Sequence, residues 1–233
     1  MNMVWKIAFQ KYRQAIISRK TIIIVYVLIF LWEDIVKRML NVAARGGCSI
    51  RILEPYIFIL TDRQNILILS VLFLVLLYDY PDVNGQEKNV LYRVEKDRWQ
   101  HAQIIYTAWL ACTVLVMAFL AFWGGVFRQA IWTTRWSTFN TTLYMNHQEL
   151  YQANNQLFLD ADVVSQGCPV EVAIHSTMLT LLLFAMIGQI VFFFSLLQKK
   201  GLGRGVVVLV LLVGWVAMKF EFKIQWLFPV SHV

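Results

Sequence analysis

Glu171 and His175 form the closest approach to a ligand pair in this sequence. They stand four residues apart, so a helix would place carboxylate and imidazole on one face. The pair has cation-binding chemistry, but no third ligand lies near it in sequence, and a metal site needs more donors than two. A polar pair on a helix surface is the plainer reading. Other spacings exclude whole reaction classes. The chain has no G-x-x-x-x-G-K-[ST], so it does not hold ATP by a phosphate loop, and it lacks H-E-x-x-H and G-x-S-x-G. It has three cysteines and no C-x-x-C spacing, which argues against zinc. Asn140-Thr141-Thr142 is formally a glycosylation sequon, a match short enough to arise by chance. We expect no catalytic residue, no cofactor and no metal in this chain, and no enzyme activity of its own.

What the sequence does concentrate is charge. Nine charged residues fall between Asp79 and Arg98. On either side, Asn65–Tyr78 and Trp99–Phe127 carry none. An apolar run of that length belongs in lipid and a dense charge run belongs in water. Pro81 closes the preceding helix. Asp82 is placed to cap a short helix through Gln86, Glu87 and Lys88. Gly85 lowers its helix propensity and lets another backbone approach. Val90, Leu91 and Tyr92 supply an apolar knob beside Arg93. Asp97 can cap the helix that follows. A short charged amphipathic segment of this kind suits docking into a groove on a soluble partner; a solvated loop is the alternative.

These residues are held by a hydrophobic frame. Of 233 residues, 59% are hydrophobic and 15% charged, and the mean hydropathy is +0.59. A soluble domain carries about a quarter charged residues. Five apolar runs are visible: Thr21–Trp32, Asn65–Tyr78, Trp99–Phe127, Val170–Leu197 and Gly205–Met218. The first is short, rising only ~18 Å, and Glu33, Asp34, Lys37 and Arg38 continue its helix. Glu33 and Asp34 follow the first run directly, and they read as a solvated helix end. Within Met1–Ser18, Trp5, Ala8, Phe9, Tyr12, Ala15 and Ile16 form one stripe, with Lys6, Gln10, Lys11, Arg13 and Gln14 off it. That is the pattern of a helix lying in the membrane interface. Leu40–Gln64 is a connection, turning at Gly46–Gly47 and starting a helix at Glu54–Pro55. Pro55–Leu60 is too short to span and is expected to lie in the interface or to dip into the membrane.

The expected fold is an all-α integral membrane protein. It is one transmembrane domain over residues 1–233: an interfacial helix at 1–18, five visible transmembrane helices, a cytoplasmic loop at 79–98 and an outer connection at 128–169. The net charge is +7. Its spread over several loops fits contact with the lipid bilayer, not nucleic acid. Twelve of the Lys and Arg residues fall in the N-terminal segment, the 79–98 loop and the turn 198–204. By the positive-inside rule this is a multi-pass protein of the cell membrane with a cytoplasmic N-terminus. Cys48 and Cys168 then share the outer face and could form a disulfide, while Cys112 sits inside a span. The uncharged spans disfavour an ion-coupled carrier.

The order of elements resembles the ABC type-2 exporter permeases. WKIAFQKYRQAII, Thr21–Trp32, Asn65–Tyr78, DVNGQEKNVLYRVEKDRW and Trp99–Phe127 stand where that family has an interfacial helix, two spans, a coupling helix and a third span. The likeness is architectural over the whole chain and sequence-like only in the loop. It implies a permease driven by a separate cytoplasmic ABC ATPase that holds ATP and Mg. Contact would run through Asp82, Gln86, Glu87, Lys88, Leu91, Tyr92 and Arg93. It also implies a second permease chain, a peptide or lipid-like substrate, and a sixth helix beyond the five visible. The alternative is a non-transporting membrane anchor or sensor subunit that recruits a cytoplasmic protein through the same loop.

Overall fold

The computed structural model describes residues 3–79, 94–127, 133–141, 157–197 and 200–219, with the single positions 149, 152 and 154. Every regular element among them is helical. These are α1 (Met3–Ile16), α2 (Arg19–Arg45), α3 (Glu54–Thr61), α4 (Arg63–Leu76), α5 (Lys96–Val126), α6 (Thr138–Thr141), α7 (Ala161–Ser165), α8 (Pro169–Leu196) and α9 (Lys200–Lys219), with a 3-10 turn at Leu77–Asp79.

Two of these helices, α5 and α8, are long and apolar enough to cross a membrane. They match the third and fourth apolar runs closely, because neither run contains a proline or a cluster of charges that would end a helix. The sharply bent pairs α1–α2 and α3–α4 raise the number to four if each counts as one broken span. The apolar part of α9, Gly201–Val216, is shorter. So the described residues support a helical membrane protein with two apolar spans, or four with the bent pairs. The fourteen residues of α4 rise only ~21 Å, short of a ~30 Å hydrocarbon core. Large apolar side chains lie bare along the helices: Tyr26 is 71% exposed, Ile22 69%, Leu182 63% and Phe30 63%. A water-facing surface rarely carries so much; lipid accepts it.

The first apolar run and its charged continuation form one helix, as the sequence suggests. Lys37 pairs with Glu33 and Arg38 with Asp34, all four exposed. The acids are therefore answered by their own helix, one turn away. The helix stops where Gly47 takes a φ of 64° and Cys48 N–H donates to the Ala43 carbonyl at 2.8 Å. That closing bond needs a left-handed residue, which glycine adopts without a Cβ clash.

The chain divides into two compact units. Unit 1 holds Met1–Ile24, Ile66–Leu115 and Leu179–Val233; unit 2 holds Val25–Asn65 and Val116–Met178. In unit 1, Phe73 stacks on Phe184 with ring centroids 4.6 Å apart. Gly188 of α8 lies so close to α5 that a Cβ there would sit 2.2 Å from the Thr107 methyl. In unit 2, Gly125 faces the Trp32 indole, where a Cβ would fall 1.5 Å from Nε1. Tyr56 meets Phe119 edge-on at 5.2 Å. Its hydroxyl lies 3.0 Å from Thr177 Oγ1. Thr177 already donates to the Ala173 carbonyl, so Tyr56 is the donor.

Helix α3 sharpens the sequence reading. Glu54 through Leu60 are all buried, so the segment is packed inside unit 2, and its sharp bend to α4 is that of a broken span or a re-entrant loop. A helix apolar on every side has no face to offer water and must be surrounded.

Candidate functional site

The described part of the charged segment is the foot of α5. Val94 is buried, and Arg98 Nε pairs with Glu95 at 2.8 Å on the exposed side. Asp97 lies in the first turn of a helix that begins one residue earlier, at Lys96. Trp99 is 1% exposed and packs on Phe192 with ring centroids 5.7 Å apart. The Lys11 ammonium stands 5.6 Å from the centre of the Trp99 ring.

Helix α1 is strapped to α5 within unit 1. Its apolar stripe converges on one ring: Trp5, Phe9 and Tyr12 lie 5.4, 6.3 and 5.6 Å from Trp109. Tyr12 OH is 2.8 Å from Thr113 Oγ1. Thr113 spends its own hydrogen on the Trp109 carbonyl, so Tyr12 donates. Each aromatic pair adds about 0.5–1.5 kcal/mol beyond its burial. With Lys11 over Trp99, α1 grips α5 at two places ten residues apart, about 15 Å along the helix. The sequence reading gave the stripe but not its partner: Trp109 lies nearly a hundred residues away, inside a run apolar on all sides.

Of the residues singled out in the sequence, Asp82, Gln86, Glu87, Lys88, Leu91, Tyr92 and Arg93 lie outside the described residues. Glu171 serves as a cap: its Oε2 accepts the Cys168 N–H at 3.0 Å, at the start of α8. His175 is exposed one turn on, and no group of three metal-ligating side chains occurs among the described residues. Cys48 and Cys168 are both free thiols, so the disulfide considered from sequence is not formed. Cys48 Sγ instead donates to the Gly46 carbonyl within its own turn, and the Cys168 backbone is committed to Glu171. Asn140 is a poor glycosylation acceptor, because its Nδ2 is shut away from solvent.

A group the sequence reading gave only as a helix start has the most specific environment in unit 2. Glu54 is 0% exposed. Its Oε1 accepts the Ser137 N–H at 2.7 Å, and its Oε2 accepts the Ser137 hydroxyl at 2.7 Å and the Arg51 N–H at 3.1 Å. One carboxyl thereby ties the 50–62 segment to the 133–141 segment. Burial pushes it above its ordinary value of 4.5, and the donors from Ser137 and Arg51 pull part of the way back. Around it, Phe139 stacks on Phe158 at 4.6 Å and Trp136 Nε1 donates to the Gly167 carbonyl at 2.8 Å. The signal in the sequence was an acid directly before Pro-Tyr-Ile-Phe-Ile-Leu, a helix too apolar to leave its first residue in water.

No family model matches the chain, and comparison with curated proteins and with solved structures finds no match. The functional reading therefore rests on the residues themselves.

Proposed function

We propose that this chain is the transmembrane permease subunit of an ABC-type transporter. It would export a peptide or lipid-like molecule and be driven by a separate cytoplasmic ATPase that carries ATP and Mg. The observation that best supports this reading is the brace of α1 on α5. The charged 79–98 segment feeds directly into α5, a single helix of 31 residues. A partner seated on Asp82–Arg93 would push on a rigid rod, and α1 would move with it through the Trp109 cluster. In this mechanism ATPase closure shifts the foot of α5, and the helices rock between two packings around a pathway formed with a second permease chain. This chain's residues supply the docking surface, the lever and the lipid-facing wall. The segment on which the ATPase would sit is proposed to be cytoplasmic, together with the N-terminus and the 198–204 turn.

Two outcomes follow from that arrangement. Single cysteines placed at Lys88 and Lys199 should be shielded from a membrane-impermeant thiol reagent in intact cells, in a Cys48→Ser/Cys112→Ser/Cys168→Ser background, while one at Arg135, exposed in the same segment as Asn140, should react. Labelling at 88 without labelling at 135 inverts the topology. Replacing Glu87 and Arg93 together by alanine should weaken ATPase association or uncouple hydrolysis from transport, with folded yield unchanged. Exposed loop charges contribute little to stability but set docking specificity and association rate. Normal transport and normal complex yield in the double variant would sink the coupling role. An intact complex without substrate-dependent hydrolysis would favour the anchor or sensor reading.

A further inference from the structure

Within unit 1, helix α8 has an inner and an outer face. Phe184, Gly188 and Phe192 look inward, against Phe73, Thr107 and Trp99. The outer face runs through Leu179, Leu182, Met186, Gln189, Phe193 and Leu196. All of these are exposed except Met186, which is half-buried. Five of them are large and apolar, and lipid accepts them. Gln189 is different. It is the only residue with a polar side chain between Thr180 and Ser195, and no described residue hydrogen-bonds its carboxamide. It stands seven residues before the end of α8, about 10 Å along the helix, which is beyond the reach of a glutamine side chain. Hydrocarbon offers an amide neither donor nor acceptor, so leaving this one unpaired is costly.

We propose that the outer face of α8 is the contact with a second copy of this chain, and that the two Gln189 carboxamides bond to each other across it. Two copies inserted in the same sense carry Gln189 at the same depth. A two-fold axis along the membrane normal then lets the residue meet itself. A carboxamide is self-complementary: each N–H donates to the other's carbonyl oxygen, so one pair closes two hydrogen bonds. The spacing agrees. The six outer residues alternate three and four apart, the repeat with which two helices pack along a shared seam. A single polar residue in such a seam fixes its register and the number of partners. Leu182, Met186 and Phe193 supply packing on either side of the amide pair, and packing with interhelical hydrogen bonds is what joins helices in lipid. The contact needs only that α8 crosses the membrane. It is independent of the ATPase reading, to which it would supply the second permease chain.

The test uses the full chain, labelled with donor or acceptor fluorophore and reconstituted without any other protein into phosphatidylcholine vesicles over a range of protein-to-lipid ratios. Energy transfer should report a dimer. Gln189→Leu should weaken its association roughly tenfold, the worth of two modest interhelical hydrogen bonds in lipid, and Gln189→Asn should retain more of it than Gln189→Leu. Leucine is at home in hydrocarbon, so the Gln189→Leu monomer should melt as the native monomer does. Oxidative cross-linking with copper phenanthroline then reads the position. Phe193→Cys in a Cys48→Ser/Cys112→Ser/Cys168→Ser background should give a disulfide-linked dimer. The native Cys112 kept alone, exposed on α5, should give little. A chain that stays monomeric at every density overturns the proposal. So does a dimer whose affinity is unchanged in Gln189→Leu, or one that cross-links as readily through Cys112 as through position 193.

Discussion

Glu54→Ala should lower the stability of unit 2 by about 3 kcal/mol or more, since each buried donor left without an acceptor costs roughly 1–3 kcal/mol. The change strands the Ser137 and Arg51 N–H groups inside a closed cluster. For a chain of 233 residues that corresponds to a melting midpoint about 6–12 °C lower. Glu54→Gln keeps the shape and one acceptor oxygen and should cost less. The same residue gives stability a pH dependence of known sign. Burial raises the folded-state value above 4.5, so the folded protein binds the proton more tightly than the unfolded chain. The Glu54 contribution is therefore fully present below 4.5 and is lost as pH rises through the folded value. Melting in detergent across pH 4–8 (roughly the range set by ordinary carboxyl titration) should show a decline in the native chain that Glu54→Gln flattens. A native midpoint that climbs with pH, with the climb abolished in Glu54→Gln, would reverse the assignment.

The second large effect lies where α5 and α8 touch in unit 1. A Cβ on Gly188 would overlap the Thr107 methyl at 2.2 Å, whereas the next Thr107 atoms stand at 3.5 and 3.7 Å. Gly188→Ala should therefore cost about 1–3 kcal/mol through overpacking, and Gly188→Leu should leave little folded protein. Small residues at such crossings let helix backbones approach in lipid, where packing must replace the hydrophobic drive. The overlap is with one methyl group, so Thr107→Ser should rescue Gly188→Ala. It removes that methyl and keeps the hydroxyl that donates to the Gln103 carbonyl at 2.9 Å. A double-mutant cycle on melting midpoints should show coupling well above the few tenths of a kcal/mol expected of independent sites. Additive losses would mean that the two helices do not approach here.

The parts of this fold that could be read in advance are those whose sequence leaves no choice. Trp99–Phe127 and Val170–Leu197 were set by their apolar length with no proline inside them, and the helices Lys96–Val126 and Pro169–Leu196 follow them within three residues. Gly47 ends α2 because the chain there needs a left-handed residue. Elsewhere the pattern was silent. Pro55–Leu60 is apolar on all sides, so its periodicity cannot separate an interfacial segment from an enclosed one. Asp62 caps α4, its Oδ2 accepting N–H groups of Gln64 and Asn65 at 3.1 and 3.0 Å, but an Asp among mixed polar residues gave no reason to choose it. The Glu54–Ser137 tie joins positions 83 residues apart, a separation no local rule bridges. The α1 stripe was legible as amphipathic, and the identity of its partner ring was not.

The central claim is that this chain is the membrane half of an ATP-driven machine. It is tested most directly by isolating the tagged full-length chain from its native membrane under mild detergent and identifying what comes with it. The account predicts a P-loop ATPase in stoichiometric amount, with ATP hydrolysis in reconstituted membranes that falls when Glu87 and Arg93 are replaced by alanine. Recovery of the chain without any nucleotide-binding partner, or hydrolysis by a co-isolated ATPase that is indifferent to this chain and to those two residues, would contradict it.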